Sequence, residues 1–295
     1  MPPPPPPPST PTVSHCYRHP NREAGRSCTR CGKPACSDCL VQAAVGSHCL
    51  DCAKAARPDV NTRVKLASSR WMTPVTSALI AVNLAVFVLM AASDSGSLNG
   101  GRVTKLQADL GVSREILQGR VGAFGKAIPA HQWYRLVTSG FIHFGVLHIV
   151  MNMLLLYQLG NLLERALGSA RLAAVYFASL LAGSFGVIIL GGAGLSGGAS
   201  GAVFGLMTAA AVGLHRRGVN VFSTGIGMTL GLNLVLTFTI SGISIGGHLG
   251  GMVAGAICGW VMLAPSWKPS PKWMVWAAPA AVTAIAVLGS VLLVG

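Results

Sequence analysis

Seven apolar stretches fill most of the chain after residue 73 and restrict it to a membrane fold. Each is close to the roughly 20 residues that a helix needs to cross the hydrocarbon core of a bilayer. The chain is 52% hydrophobic and only 10% charged, whereas soluble domains carry about a quarter charged residues. The stretches are 74–92, 146–163, 172–191, 201–214, 224–241, 246–264 and 274–294. We therefore predict an all-α polytopic membrane protein with seven spans over residues 74–295.

The charges sort by position along the chain. The net charge of +14 would suggest a nucleic-acid partner in a soluble protein. Here all eight acidic residues lie at or before Glu164, and the loops 164–171, 215–218 and 265–273 are basic. Because basic loops face the cytosol, this alternation predicts a cytosolic N-terminus and an outside C-terminus. The charge thus indicates topology in a cell membrane, and we expect no nucleic-acid partner.

Three short segments precede the first span. Residues 1–14 form a proline-rich tail that cannot build a core and is predicted to be disordered. Residues 15–55 contain seven of the eight cysteines, and residues 56–73 form a basic linker. No secretory signal precedes the cysteines, so we expect them in the reducing cytosol, where such modules bind metal. Arginine outnumbers lysine 15 to 7, which favours a bacterial source.

The metal-ligating residues form four pairs, and each pair has two residues between its members. The pairs are Cys16 with His19, Cys28 with Cys31, Cys36 with Cys39, and Cys49 with Cys52. This spacing lets both side chains reach one tetrahedral ion, so eight ligands suit two structural zinc ions. A cross-brace would place pairs one and three on one ion and pairs two and four on the other. His15 and His48 are alternative ligands.

The cysteine module resembles a B-box zinc finger, although Cys49 and Cys52 stand where that family often has histidines. The sequence does not identify what such a finger binds. Recruitment of a cytosolic protein partner and regulation of the membrane domain both stay open as roles of the finger.

Polar side chains within the apolar stretches are costly in a membrane and usually functional. They include His148, Asn152 and His248, and Ser200 lies at a helix start within Gly198-Ala199-Ser200-Gly201. Taken alone this serine pattern is weak, because serine also caps helices. His148 and Asn152 share a helix face because they are four residues apart. They could stabilise an oxyanion together with the Ser200 N–H, and a purely structural pair is the alternative.

Two series of small residues indicate how Ser200 and His248 meet. Small residues recur every fourth position over 201–213 and over 247–259. Such faces let helix backbones approach closely, and both spans begin on the outer side of the membrane. A histidine within hydrogen-bond reach is the usual base for a serine nucleophile. Because no Asp or Glu follows Glu164, we predict a serine–histidine dyad without an acidic third member.

In combination, these motifs resemble the rhomboid intramembrane serine proteases. The resemblance is carried by Tyr134-Arg135, His143-x4-His148-x3-Asn152, Glu164-x3-Gly168, Gly198-Ala199-Ser200-Gly201 and Gly247-His248-x2-Gly251-x3-Gly255. It implies a six-helix bundle with an added seventh span, and a catalytic dyad of Ser200 and His248. It also implies that His148, Asn152 and Gly198 support the oxyanion.

The chain departs from the family pattern at three places. Tyr134 stands where the family has Trp, and the family's Glu-x-Arg is Glu164-Arg165-Ala166 here. Phe204 stands where some members have a Tyr that stacks on the catalytic His. Phenylalanine keeps the stacking face and loses the hydroxyl.

The resemblance implies an endopeptidase that cleaves peptide bonds in or near the transmembrane segments of membrane proteins, without a cofactor in the reaction. One alternative is an inactive rhomboid-like protein that binds membrane proteins. A transporter or channel would also use intramembrane polar groups, but the chain shows no inverted repeat and no membrane carboxylate for ion coupling. A membrane-tethered zinc-finger regulator would need only an anchor, and seven spans exceed that need.

Overall fold

The computed structural model describes residues 14–43, 46–55, 73–120, 129–191 and 194–295. The chain divides into two compact units, Met1–Met72 and Thr73–Gly295. The border between them falls at the end of the predicted linker, 56–73. Apart from Ser14 and Thr73, the predicted proline-rich tail and the linker lie outside the described residues.

The first unit is built from two short hairpins and one helix. They are β1 (Arg26–Ser27) paired antiparallel with β2 (Pro34–Ala35), β3 (Leu40–Gln42) paired antiparallel with β4 (Ser47–Cys49), and α1 (Leu50–Ala55). Gly32 turns the chain between β1 and β2 with a φ of +74°, and its N–H donates to the Cys28 carbonyl at 2.8 Å. Four buried residues, three of them cysteines, form its apolar cluster. A core of this size needs a further source of stability.

Helices make up the second unit. In chain order they are α2 (Pro74–Ser93), the short α3 (Gly96–Asn99), α4 (Lys105–Leu110), α5 (Arg114–Leu117) and α6 (Arg135–Thr138), then α7 (Val146–Leu167), α8 (Ser169–Leu190), α9 (Ser200–His215), α10 (Gly225–Thr239), α11 (Ile245–Met262) and α12 (Met274–Val294). Each of the seven apolar stretches overlaps one of the longer helices, and three of them (172–191, 224–241 and 246–264) run past the helix ends at Leu190, Thr239 and Met262. Among the described residues, five helices are long and apolar enough to cross a membrane. The prediction of an all-α polytopic membrane fold is confirmed.

Helix α9 lies at the centre of this unit and is one of two apolar helices that are shorter than the rest. It has 16 residues, which corresponds to a length of about 24 Å, against roughly 30 Å for the hydrocarbon core. It packs against α7, α8 and α11, and most of its residues are buried. A helix this short and this enclosed begins or ends inside the protein rather than at the membrane surface.

Helices α9 and α11 touch backbone to backbone along their small-residue faces. A Cβ added at Gly251 would overlap the Gly201 carbonyl oxygen. A Cβ added at Gly255 would lie 2.5 Å from Gly205 Cα and would overlap the Gly205 carbonyl oxygen. The two series of small residues therefore face each other, and they leave no room for side chains between the two helices.

The long connection between α2 and α7 fixes the loop that precedes α9. Arg135 is buried, and its Nη1 donates to the carbonyl oxygens of Ala108 at 2.6 Å and Gly111 at 2.8 Å. Immediately after Gly111, the backbone N–H groups of Val112 and Ser196 donate to each other's carbonyl oxygens at 2.9 and 2.8 Å. The glycine-rich loop before α9 is thus attached to a scaffold organised by Arg135.

Glu164 links the end of α7 to the start of α2. Its carboxylate accepts hydrogen bonds from the backbone N–H of Val75 at 3.0 Å and of Thr76 at 2.8 Å. It also accepts one from Ser169 Oγ at 2.7 Å, in the first turn of α8. The first N–H groups of a helix have no partner within the helix, so this carboxylate caps α2 and joins three helices.

Candidate active site and metal centres

Ser200 and His248 meet where the two touching helices begin. Ser200 is the first residue of α9, and His248 lies in the first turn of α11. Because the small-residue faces bring these two ends together, Ser200 Oγ lies 2.8 Å from His248 Nε2. That is an ordinary hydrogen-bond length. Two residues that the sequence singled out, 48 positions apart, are therefore within proton-transfer distance.

The His248 ring is fixed by two further contacts. Phe204 stacks on it with ring centroids 4.1 Å apart and an interplanar angle of 21°. On the opposite edge from Ser200, His248 Nδ1 lies 2.7 Å from Thr237 Oγ1, which comes from α10. Sequence reasoning missed Thr237. A threonine in an apolar helix commonly bonds a carbonyl of its own helix, so nothing in the sequence distinguished this one.

His148 and Gly198 lie against each other beside Ser200. The backbone N–H of Phe144 donates to His148 Nδ1 at 3.2 Å, so the neutral ring carries its proton on Nε2. A Cβ added at Gly198 would lie 2.9 Å from that Nε2. The His148 N–H is therefore directed towards the backbone two residues before Ser200.

Asn152 lies one turn after His148 on α7, and its Nδ2 donates to the His148 carbonyl at 2.9 Å. The Gly198 N–H donates to the Ser139 carbonyl at 2.8 Å, which fixes the loop that precedes Ser200. The first turn of α9 adds backbone N–H groups at its N-terminal end, where a helix favours negative charge. Ser200 thus has His248 within hydrogen-bond distance, and the His148 ring lies beside the backbone of Gly198, two residues before it.

His143 lies edge-on to His148, with ring centroids 5.1 Å apart. It is fully buried, and neither ring nitrogen has a hydrogen-bond partner among the described residues. It occupies the first position of the motif that contains His148 and Asn152.

Comparison with known proteins agrees with this geometry. Residues 130–265, which include every residue of the site described above, match the Rhomboid domain family. The chain carries a rhomboid domain. The resemblance that the sequence motifs indicated is therefore confirmed.

The relatives of this rhomboid domain include bacterial and plant proteins. The chain is 32% identical over 124 residues to the rhomboid protease GluP of Bacillus subtilis (strain 168), covering 41% of this chain and 24% of that protein. It is 30% identical over 159 residues to the mitochondrial RHOMBOID-like protein 6 of Arabidopsis thaliana, covering 48% and 52%. It is 36% identical over 76 residues to the rhomboid protease GlpG of Yersinia pestis (strain Pestoides F), covering 26% and 27%. The chain spans between about a quarter and about a half of the length of these relatives.

Two groups of metal-ligating side chains lie outside the rhomboid domain, in the first unit. One group is Cys16, His19, Cys36 and Cys39, and the other is Cys28, Cys31, Cys49 and Cys52. Within each group, all ligand atoms lie within 4.8 Å of one another. Pairs one and three thus form one group and pairs two and four the other, as in the predicted cross-brace. His15 and His48 belong to neither group.

The spacing within each group fits a tetrahedral ion. A zinc ion with bonds of about 2.3 Å to sulfur separates its ligand atoms by roughly 3.8 Å, and slightly less for nitrogen. His19 Nδ1 lies 3.5 Å from Cys36 Sγ and 3.4 Å from Cys39 Sγ, and Cys31 Sγ lies 3.6 Å from Cys49 Sγ. The first unit can therefore hold two metal ions.

In each group one thiol has a lowered pKa and another a raised one: burial raises the pKa of Cys39 to about 11, and hydrogen bonding to Cys31 raises that of Cys52 to about 12. Backbone hydrogen bonding from Cys49 lowers the pKa of the Cys28 thiol to about 6, against the opposing effect of burial. Burial raises the pKa of Cys16, but backbone hydrogen bonds from Cys36 and Arg18 outweigh it and bring that pKa to about 6. Because the thiolate is the form that binds metal, each group offers a ligand that is already deprotonated near neutral pH.

Proposed function

We propose that this protein is an intramembrane serine endopeptidase that hydrolyses peptide bonds in or near the transmembrane segments of membrane proteins. The observation that carries the proposal is the 2.8 Å contact between Ser200 Oγ and His248 Nε2, inside a rhomboid domain. GluP and GlpG, which resemble it, are named rhomboid proteases. An inactive protein that binds membrane proteins would have no need of this contact.

In the proposed reaction, Ser200 Oγ attacks the substrate carbonyl carbon while its proton passes to His248 Nε2. The carbonyl oxygen becomes an oxyanion, which the His148 Nε2–H, the Asn152 amide and the backbone N–H of Ser200 stabilise. Collapse of this intermediate breaks the peptide bond, and His248 returns the proton to the leaving amine. A water molecule then attacks the acyl-enzyme with His248 as base, and the product acid leaves as Ser200 regains its proton.

We also propose where the protein lies, what it cleaves and how its two units are used. The protein would lie in a bacterial cell membrane with its N-terminus in the cytosol, and its substrates would be transmembrane proteins. Residues 15–55 would form a two-zinc module and residues 74–295 the membrane domain. The zinc ions would be structural, since all their ligands belong to the first unit, whereas Ser200 and His248 belong to the second. A cytosolic protein is the partner we propose for the module.

Replacement of Ser200 tests the proposal. We expect Ser200→Ala to reduce cleavage of a transmembrane reporter in liposomes by at least about 1,000-fold, because no nucleophile remains. Ser196→Ala is the matched control: it lies in the same loop, and its contacts with Val112 are made by its backbone, so cleavage should be unchanged. Undiminished cleavage by Ser200→Ala would refute the assignment.

The wild-type protein distinguishes the protease from an inactive binder. We expect a fluorophosphonate probe to label it at Ser200. A wild-type protein that binds the reporter, leaves it intact and is not labelled would instead be the inactive rhomboid-like binder.

A further inference from the structure

Thr237 Oγ1 makes two close polar contacts that compete for its single proton. It lies 2.7 Å from His248 Nδ1 and 2.7 Å from the Asn233 carbonyl oxygen, one turn earlier on α10. The threonine is 98% buried, so water cannot replace either partner. A hydroxyl group has one hydrogen to donate and two lone pairs to accept with. Only one of the two contacts can therefore use the threonine's own proton.

A carbonyl oxygen can only accept, so the Asn233 contact requires the Thr237 hydroxyl as donor. The Nδ1 contact is then a hydrogen bond only if Nδ1 carries a hydrogen and Thr237 Oγ1 accepts it. A neutral imidazole has one N–H, so its Nε2 is left with a free lone pair. That lone pair faces the hydroxyl of Ser200 at 2.8 Å. One arrangement of protons thus satisfies all three contacts.

The opposite arrangement would prevent the proposed reaction. If Thr237 donated to Nδ1, the ring proton would lie on Nε2 and point at Ser200, and the histidine could not accept the serine proton. When Nδ1 carries the proton, its bond to Thr237 also persists through the reaction. The imidazolium that forms when Nε2 takes the serine proton keeps the same Nδ1–H. In serine proteases with a triad, an aspartate selects this tautomer. Here no Asp or Glu follows Glu164.

We propose that Thr237 is a positioning residue that holds His248 in its Nδ1–H tautomer, in the place that an aspartate takes in a triad. The inference rests on the proposed function, since a tautomer of His248 matters only if His248 is the base. The Thr237 hydroxyl contacts His248 and the Asn233 carbonyl, so it would act through the orientation and protonation of the imidazole. A neutral acceptor does this without placing a charge in the membrane, where an unpaired carboxylate would be costly.

Three variants separate this role from an ordinary structural one. Thr237→Val keeps the shape and removes the hydroxyl, and Thr237→Ser keeps the hydroxyl. Thr229→Val is the matched control, since Thr229 lies on the same helix and bonds its own helix at Gly225 O, 2.8 Å away. Thr229→Val therefore removes a hydroxyl bond to a helix carbonyl, as Thr237→Val does, but it removes no contact with a histidine.

For Thr237→Val we expect kcat for a transmembrane reporter, and the rate of fluorophosphonate labelling at Ser200, to fall by about 10- to 100-fold with KM unchanged. Thr237→Ser should stay within about 3-fold of wild type, since it retains the bond to His248. Thr229→Val should match wild type. Unchanged rates in Thr237→Val, an equal fall in Thr229→Val, or a rise in KM alone would overturn the inference.

The tautomer of His248 can also be measured directly in the wild-type protein. This measurement does not depend on catalytic activity or on whether the Thr237→Val variant folds. Nitrogen-15 NMR of the full-length protein with labelled histidine, assigned by comparison with His248→Ala, should show a neutral His248 protonated at Nδ1. Protonation at Nε2 would overturn the inference. A wild-type protein that neither cleaves nor is labelled, yet shows the Nδ1–H form, would contradict the proposed function while confirming the tautomer that the Thr237 contact predicts.

Discussion

Gly198 occupies a position where both the backbone conformation and the available space require a glycine. Its φ is +129°, a region that residues with a Cβ rarely adopt. A Cβ there would also lie 2.8 Å from His148 Cε1 and 2.9 Å from Nε2. The His148 ring therefore lies in contact with the Gly198 backbone, two residues before Ser200. In the proposed reaction, the Nε2–H of His148 would stabilise the oxyanion from this position.

We expect Gly198→Ala to lower kcat for reporter cleavage by about 100-fold, because the new methyl group displaces His148, the proposed oxyanion donor. The comparison is Gly191→Ala. Gly191 also has a positive φ, of +60°, but no atom of the described residues lies within 4 Å of a Cβ built there. If the two variants lost equal activity, backbone strain rather than the displacement of His148 would be the cause.

At the residue scale, the sequence was informative where chemistry depends on residue type. A serine, a histidine and four ligand pairs with fixed spacing are recognisable without coordinates. Thr237 and the Phe144 N–H were not predictable, because both act through contacts between segments that are distant in sequence or through the backbone. The sequence contains no pattern that connects Thr237 with His248, eleven residues later on another helix.

At the scale of helices, the repeat of small residues predicted the face by which α9 and α11 meet. It could not give the separation of the helices, which follows from the overlap that any Cβ at Gly251 or Gly255 would cause. Helix ends were also only approximate. The stretch predicted from 172 begins at Ser169, because that serine bonds Glu164 across the junction between α7 and α8.

The contact between α9 and α11 should be sensitive to a single methyl group. We expect Gly255→Ala to lower the free energy of unfolding by about 1–3 kcal/mol, because the Cβ meets backbone rather than a flexible side chain. It should also slow fluorophosphonate labelling of Ser200. Both effects can be measured in detergent, by thermal unfolding and by the rate of labelling.

Gly231→Ala is the control for this variant. Gly231 lies inside α10, and no atom of the described chain lies within 4 Å of a Cβ placed on it. Alanine favours a helix over glycine by about 1 kcal/mol, so this variant should be as stable as wild type or more so. Equal destabilisation of the two variants would show that the contact is not the cause.

At the scale of the whole molecule, the two units divide metal binding from the proposed reaction. We expect the purified protein to contain two zinc ions per chain, and Cys36→Ser to lower that number. Cys258→Ser is the control, because Cys258 is buried in α11 within the other unit. Elemental analysis by mass spectrometry measures the content. Two zinc ions retained in Cys36→Ser would contradict the ligand assignment.

Removal of zinc with a chelator should unfold the first unit, since a small metal site commonly supplies the folding energy of its module. Cleavage of the reporter should continue, because all eight residues of the two ligand groups lie in the first unit. Activity that disappears with the metal and returns with added zinc would show instead that the module controls the protease.

The bare contact between α9 and α11 also limits how this protein can evolve. An interface lined with side chains can be adjusted in small steps, by exchanging one hydrophobic residue for another of similar volume. At Gly251 and Gly255 the smallest change adds a methyl group where backbone atoms already lie. Single substitutions at these two glycines therefore cannot adjust the distance between Ser200 and His248 in small steps. Evolution can change that distance only through substitutions in the surrounding helices.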